Sequence, residues 1–247
     1  MKIIISPAKK MNTDTDTLAV EGLPVYLHRT KKILSYLQGL SRQQAKELWK
    51  CNDKLTDLNY QRIQQMELAR ALTPAVLSYE GIQYQYMAPG VLDEDSLQYL
   101  QDHLRILSGF YGILNPFDGV VPYRLEMQAK AGVDGCRDLY EFWGSSLYES
   151  LAKETDCILN LASKEYSRCI EKYLEPEIMF ITVVFGQMKE GKVIQKGTLA
   201  KMARGEMVRY MAENGIEDLE RVKGFDRLNF IYAPERSDEK IIVFLQK

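Results

Sequence analysis

A chain of 247 residues, 46% of them hydrophobic, is long enough to bury a large core without disulfides or metal. Its formal charge of −2 excludes a surface that is basic all over, so any anion site must be a local gathering of Lys and Arg. Two histidines and four scattered cysteines (Cys51, Cys136, Cys157, Cys169) give no metal-site spacing and point to free thiols without a disulfide partner.

Met1 leads directly into Lys2-Ile3-Ile4-Ile5 and then Pro7, too short an apolar run for a signal segment. No run reaches the ~20 apolar residues of a membrane span, so the expectation is a cytoplasmic protein without a membrane partner. Ile3–Ile5 reads as a short strand covered on both faces. Pro7 stops it and leaves Ser6, Lys9 and Lys10 on the loop at its carboxyl end, the edge where open α/β sheets bind ligands. Two adjacent loop lysines also fit plain solvated charge.

Residues 24–80 read as consecutive short helices. Helical spacing runs from Pro24 to Leu37, and Ser41-Arg42-Gln43-Gln44 is a capping box for the next helix. A third helix is expected from Asp57 to Leu72, after a connection over Asn52–Thr56, with a helical turn at Pro74–Tyr79. This layout allows a helix-hairpin-helix that offers backbone N–H groups to a DNA phosphate, but any small helical subdomain looks alike. The tyrosines of Tyr79–Tyr86 fit either half-buried packing or a stacking platform for bases. Asp93 to His103 is an amphipathic helix.

The stretch Leu107–Met127, LSGFYGILNPFDGVVPYRLEM, opens from a buried strand at Leu104–Leu107 and turns at Asn115-Pro116 and Asp118-Gly119. It then delivers Tyr123, Arg124 and Glu126 together. Arginine suits forked recognition of phosphate, and a neighbouring glutamate holds the fork or moves a proton. The bland reading is an ion pair at a strand end.

One helix is expected over Asp138–Lys153. Cys157–Leu161 is a second buried strand, ending in a loop with Asn160, Ser163 and Lys164 before the helix Glu165–Leu174. A helix N-terminus beside a hydroxyl and a lysine suits an anion, although Ser163 also fits a plain N-cap. The apolar run Ile178–Met188 turns at Lys189–Lys192 into a return strand that ends near Lys196. On the helix Gly197–Ala212, Lys201 and Arg204 share a face and Gly205 permits a close approach. Strands Asn229–Ala233 and Lys240–Leu245 finish the chain.

The fold class is therefore α/β (α+β): one domain over residues 1–247, a mixed central sheet surrounded by helices, with a helix-hairpin-helix-like segment over about residues 24–80. If the buried strands are neighbours, their loops converge on a cationic cleft suited to phosphate. No Walker loop, G-x-G-x-x-G, H-E-x-x-H or G-x-S-x-G is present, so no cofactor is expected.

Four segments carry a resemblance: Ile5–Met11, LSGFYGILNPFDGVVPYRLEM, Asn160–Tyr166 and Ala203-Arg204-Gly205. They resemble the signature blocks of the YaaA family of bacterial peroxide-stress proteins (UPF0246 type), in family order and across the whole chain. The resemblance implies a cytosolic protein that protects against hydrogen peroxide by limiting free iron. It also implies an α/β fold with a helix-hairpin-helix, a basic cleft and binding of double-stranded DNA. Asn115, Met202 and Ile82-Gln83 depart from the family pattern, and two lost positive charges would weaken DNA affinity. Three functions stay open: a DNA-binding stress protein, a nucleotide- or base-processing enzyme of glycosidase or lyase type, and an iron-handling or partner-binding protein. In the enzyme reading, Lys9 or Lys164 is the amine nucleophile, Glu126 the acid–base and Arg124 the phosphate holder.

Overall fold

The computed structural model describes residues 1–247. Strand β1 (Lys2–Ile5) lies at the centre, and Ile3, Ile4 and Ile5 are fully buried. The strands that follow it are β2 (Leu104–Ser108), β3 (Gly112–Leu114), β4 (Cys157–Asn160) and β5 (Met179–Lys189). The last three are β6 (Lys192–Ile194), β7 (Phe230–Tyr232) and β8 (Ile241–Gln246).

The sheet runs β7-β8-β5-β4-β1-β2-β3, with β6 folded back on β5. Strands β8, β5, β4, β1 and β2 are parallel, and β3 and β7 close the edges antiparallel. Continuous apolar runs are what a sheet covered on both faces requires, and the runs at β1, β2 and β4 meet that need. The chain leaves β1 toward β2 on one side and returns later as β4 on the other. Strand β1 is thus a topological switch point, where a crevice opens at the carboxyl ends of the strands.

Several local readings are corrected. The stretch Asp138–Lys153 is two helices, Leu139–Trp143 and Ser146–Ala152, because Gly144 turns into the left-handed region with φ 54°. The third N-terminal helix is Asp53–Gln64, not Asp57–Leu72: Asn52 caps it by accepting the Leu55 N–H at 3.0 Å. Ser41 and Gln44 do form the capping box of Arg42–Trp49. Lys189–Lys192 is a tight hairpin, with Glu190 and Gly191 at φ 51° and 76°. Tyr79 and Tyr84 are buried, and the segment Ile82–Met87 is a short helix lying across the helix Gly197–Glu213. Gly205 makes that contact possible: a Cβ there would stand 2.1 Å from the Gln83 carbonyl oxygen.

Candidate functional site

Because β1 and β4 are parallel neighbours, with Ile4 opposite Asn160, the residues that follow them meet at one edge. The Ser6 hydroxyl accepts the Ser163 N–H at 2.8 Å and donates to the Ser163 hydroxyl at 3.2 Å. Ser163 stands at the start of the helix Lys164–Glu171, but its side chain makes no capping bond. Its N–H is already spent on Ser6.

Above this floor lies a recess of about 410 Å³. The segment Tyr123–Glu126 forms one wall. It crosses directly over Gly109, where a Cβ would lie 2.9 Å from the Leu125 carbonyl oxygen, so only glycine lets this backbone through. The opposite wall is Glu80–Tyr84, with the Tyr84 hydroxyl donating to the Ser6 carbonyl at 3.0 Å. Lys201 and Arg204 enter from the helix Gly197–Glu213, and Glu165 and Tyr166 from the first turn after Ser163.

Charge in the recess is unevenly neutralised. Lys9 pairs with Glu126 at 2.6 Å, and Lys10 pairs with Glu80. Arg124, Lys201 and Arg204 make no ion pair, and the Nε atoms of both arginines are buried without a hydrogen-bond partner. Burial alone pulls the Arg204 guanidinium below its ordinary value, with no carboxylate near enough to offset it. Burial pushes Glu126 up, but the Lys9 ammonium, the Gln128 amide and the charge of Arg124 outweigh it and hold the carboxyl below its usual range. Glu165 moves the other way, raised by burial and by the charge of Glu126.

Of the residues proposed from sequence, Ser6, Lys9, Lys10, Tyr123, Arg124, Glu126, Ser163, Lys201 and Arg204 line this recess. Tyr123 does so with its hydroxyl committed elsewhere, to Tyr79 at 2.9 Å and Ser108 at 2.6 Å. Three residues lie apart. Asn160 is 2% exposed, donating to the Thr182 hydroxyl at 3.2 Å and accepting the Ala162 N–H at 2.9 Å, which is a strand-end fastening. Lys164 turns away to pair with Glu171, and Lys196 is exposed at the start of the helix Gly197–Glu213. Sequence reasoning missed Glu80, Gln83, Tyr84, Glu165 and Tyr166 as recess residues. Glu165 and Tyr166 stand next to Lys164 in a segment already singled out, and the 3.6-residue periodicity of the helix was the signal that separates them.

A second groove of about 890 Å³ shares Lys9, Arg124 and Glu126 with the recess. It runs out to Lys130 on one side and to Trp49 and Lys50 on the other, at the end of the helix Arg42–Trp49. The hairpin of Arg42–Trp49 and Asp53–Gln64 turns through Lys50, at φ 46°, and is fastened by Arg42 to Asp53 at 3.0 Å and Lys46 to Asp53 at 2.8 Å. Asn115 lies away from both hollows, where its N–H donates to Asp118 within its own turn at 2.8 Å.

A family model described as "Peroxide stress protein YaaA" matches residues 1–236. The chain belongs to the YaaA family. It is 59% identical to a UPF0246 protein of Lachnoclostridium phytofermentans over all of this chain and 96% of that one. It is 55% identical to a UPF0246 protein of Desulfitobacterium hafniense, over all of this chain and 98% of that relative. A UPF0246 protein of Pediococcus pentosaceus is 51% identical, again over all of this chain and 98% of the relative. The family name places this YaaA-family chain among peroxide-stress proteins. No helix is long and apolar enough to cross a membrane.

Proposed function

We infer that the chain serves peroxide-stress defence by holding the phosphate backbone of double-stranded DNA in the groove between the hairpin and Arg124–Lys130. One observation carries this reading: Lys50, Lys130 and Arg124 line a continuous groove with Lys9, and Lys50, Lys130 and Arg124 have no acidic partner. Unpaired cations along a groove are what a backbone of regularly spaced anions requires. The hairpin turn at Lys50 fits the helix-hairpin-helix role, offering its end to a phosphate. A restraint on free iron, which the family resemblance implies, belongs to this reading as its cellular outcome.

The test is fluorescence anisotropy with a short duplex across a salt series. Contact with three to four phosphates gives a log–log slope of about −3 to −4. A salt-independent affinity, or no binding at low salt, overturns the reading.

A second reading has its own support. Glu126 and Glu165 share a recess while their environments push them apart, the arrangement that assigns base and acid roles in enzymes. In that case the recess processes a nucleotide or a damaged base. Release of free base from lesion-bearing oligonucleotides, lost in Glu126→Gln, is the decisive result. Borohydride trapping through Lys9 isolates the lyase version.

A further inference from the structure

The recess beneath Arg124 differs in kind from the groove outside it. Its floor is the carboxyl edge of the sheet, sealed by the Ser6–Ser163 hydrogen bonds. A polynucleotide can run along the outer groove, but it cannot enter and leave through a floor of strand ends. Within this recess a strand can therefore be received only as an end; Arg204 also borders a second hollow beside Lys164 and Lys240.

The charge at that depth is also unusual. Two guanidinium groups line it without an ion pair, each with a buried Nε lacking a partner, and Lys201 stands about one turn before Arg204 on the same helix. The Gln83 Nε2 is buried without a partner as well, on a side chain only 6% exposed. Both side chains are half-buried, and leaving two buried Nε–H groups without an acceptor is costly, so a hollow that keeps two of them is suited to an anion that would accept from them. An internal phosphodiester carries one negative charge and is satisfied by one fork. A phosphate monoester carries about −1.5 to −2 at neutral pH and has three free oxygens. Two arginines lining one hollow supply donors enough for the second, because arginine binds phosphate oxygens in pairs.

We propose that the inner recess is a phosphate-monoester site, in which Arg124 and Arg204 grip the terminal phosphate of a DNA strand or of a free nucleotide. This deepens the DNA reading and rests on it only for the strand-end source. Tyr84 and Tyr166, both buried walls of the hollow, leave about 410 Å³, room for one nucleotide and not for a duplex.

The experiment compares four probes on the full chain: a 5′-phosphorylated duplex, the same duplex with 5′-hydroxyl ends, a closed dumbbell duplex, and a nucleoside monophosphate beside its nucleoside. The phosphorylated end is expected to bind about tenfold tighter than the hydroxyl end. Arg204→Gln removes that preference and leaves dumbbell binding within about twofold. Arg204→Lys keeps the charge, loses the fork, and retains part of the preference. A monophosphate that binds while the phosphorylated end gains nothing supports the site and assigns it to free nucleotides. Equal affinity for phosphorylated and unphosphorylated forms of both probes overturns the proposal, as does an undiminished preference in Arg204→Gln. Failure of the dumbbell to bind at low salt sinks the DNA reading instead, and the monophosphate arm stands apart from it.

Discussion

Glu165 and Glu126 show how one recess sets two carboxyls against each other, and the difference is measurable through pH. The raised folded value of Glu165 means the folded protein holds that proton more tightly than the unfolded chain does. Its contribution to stability is therefore fully present below the ordinary carboxylate range of about 4.3 and is lost as pH rises through the folded value. Protonation also removes one negative charge from the recess, so sulfate, whose own charge is constant here, should bind tighter as pH falls through the raised folded value of Glu165. Glu165→Gln should flatten this dependence, as read by calorimetric titration across a pH series, and an unchanged slope in the variant contradicts the assignment. Glu126 shifts the opposite way, held down by Lys9 and Gln128, and so titrates below Glu165. A separate carboxylate guards the core. Glu154 bonds the buried Arg105 and pairs with Lys2 at 3.0 Å, and although burial raises it, these two cations leave it below its usual value. Its stabilisation is present above the ordinary carboxylate range and lost as pH falls through the depressed folded value. Glu154→Gln should cost on the order of 2 kcal/mol by urea denaturation at pH 7, less than a fully buried pair because Glu154 keeps contact with water, and less at pH 3.

The elements owe their placement to two glycines, and substitution separates packing from site geometry. Gly205→Ala forces a methyl group against the Gln83 carbonyl, backbone on backbone, where neither helix can yield cheaply. A loss of about 2–3 kcal/mol in denaturant unfolding is expected, with the Glu80–Tyr84 wall displaced. Gly109→Ala meets the crossing segment at Leu125–Met127, which carries Glu126 and follows directly on Arg124. That segment is irregular chain and shifts more readily, so anion affinity should fall further than stability does; a variant that binds normally yet unfolds early would reverse this view. These close approaches also mark the limit of what the sequence could tell. Ile3–Ile5 and Cys157–Asn160 are legible as buried strands because continuous apolar triplets admit few alternatives, and their polar ends then had to share an edge. Arg124 and Glu126 were legible because turn dipeptides fix where the chain reverses. Asn160, Lys164 and Lys196 fall outside the recess because position on a loop does not say which side a side chain leaves from. Glu80, Gln83 and Tyr84 reach the recess only through the contact at Gly205, and adjacency in sequence holds no trace of its partner. The break at Gly144 was hidden because a glycine inside a helical pattern is usually tolerated.

The molecule as a whole carries a formal charge of −2 while its groove and recess are locally positive, and this conflict shapes how a duplex would arrive. Long-range attraction follows the total field, which at a Debye length of about 8 Å is already screened in physiological salt. The cations that face a duplex, Lys9, Lys50, Arg124 and Lys130, share their groove with Glu126, which pairs with Lys9, and with Glu47, which pairs with no cation. A duplex therefore feels little pull until it is within contact range. Association should proceed at roughly 10⁵–10⁶ M⁻¹s⁻¹, the range of unsteered encounters, and should change by less than a few-fold between 50 and 200 mM salt. The salt dependence of affinity then has to fall on dissociation, because counterion release is settled only once phosphates sit against Lys9, Lys50, Arg124 and Lys130. Stopped-flow anisotropy with a labelled duplex separates the two rates. An association rate near 10⁸ M⁻¹s⁻¹ that collapses with salt would place the attracting charge on the outer surface and not in the cleft.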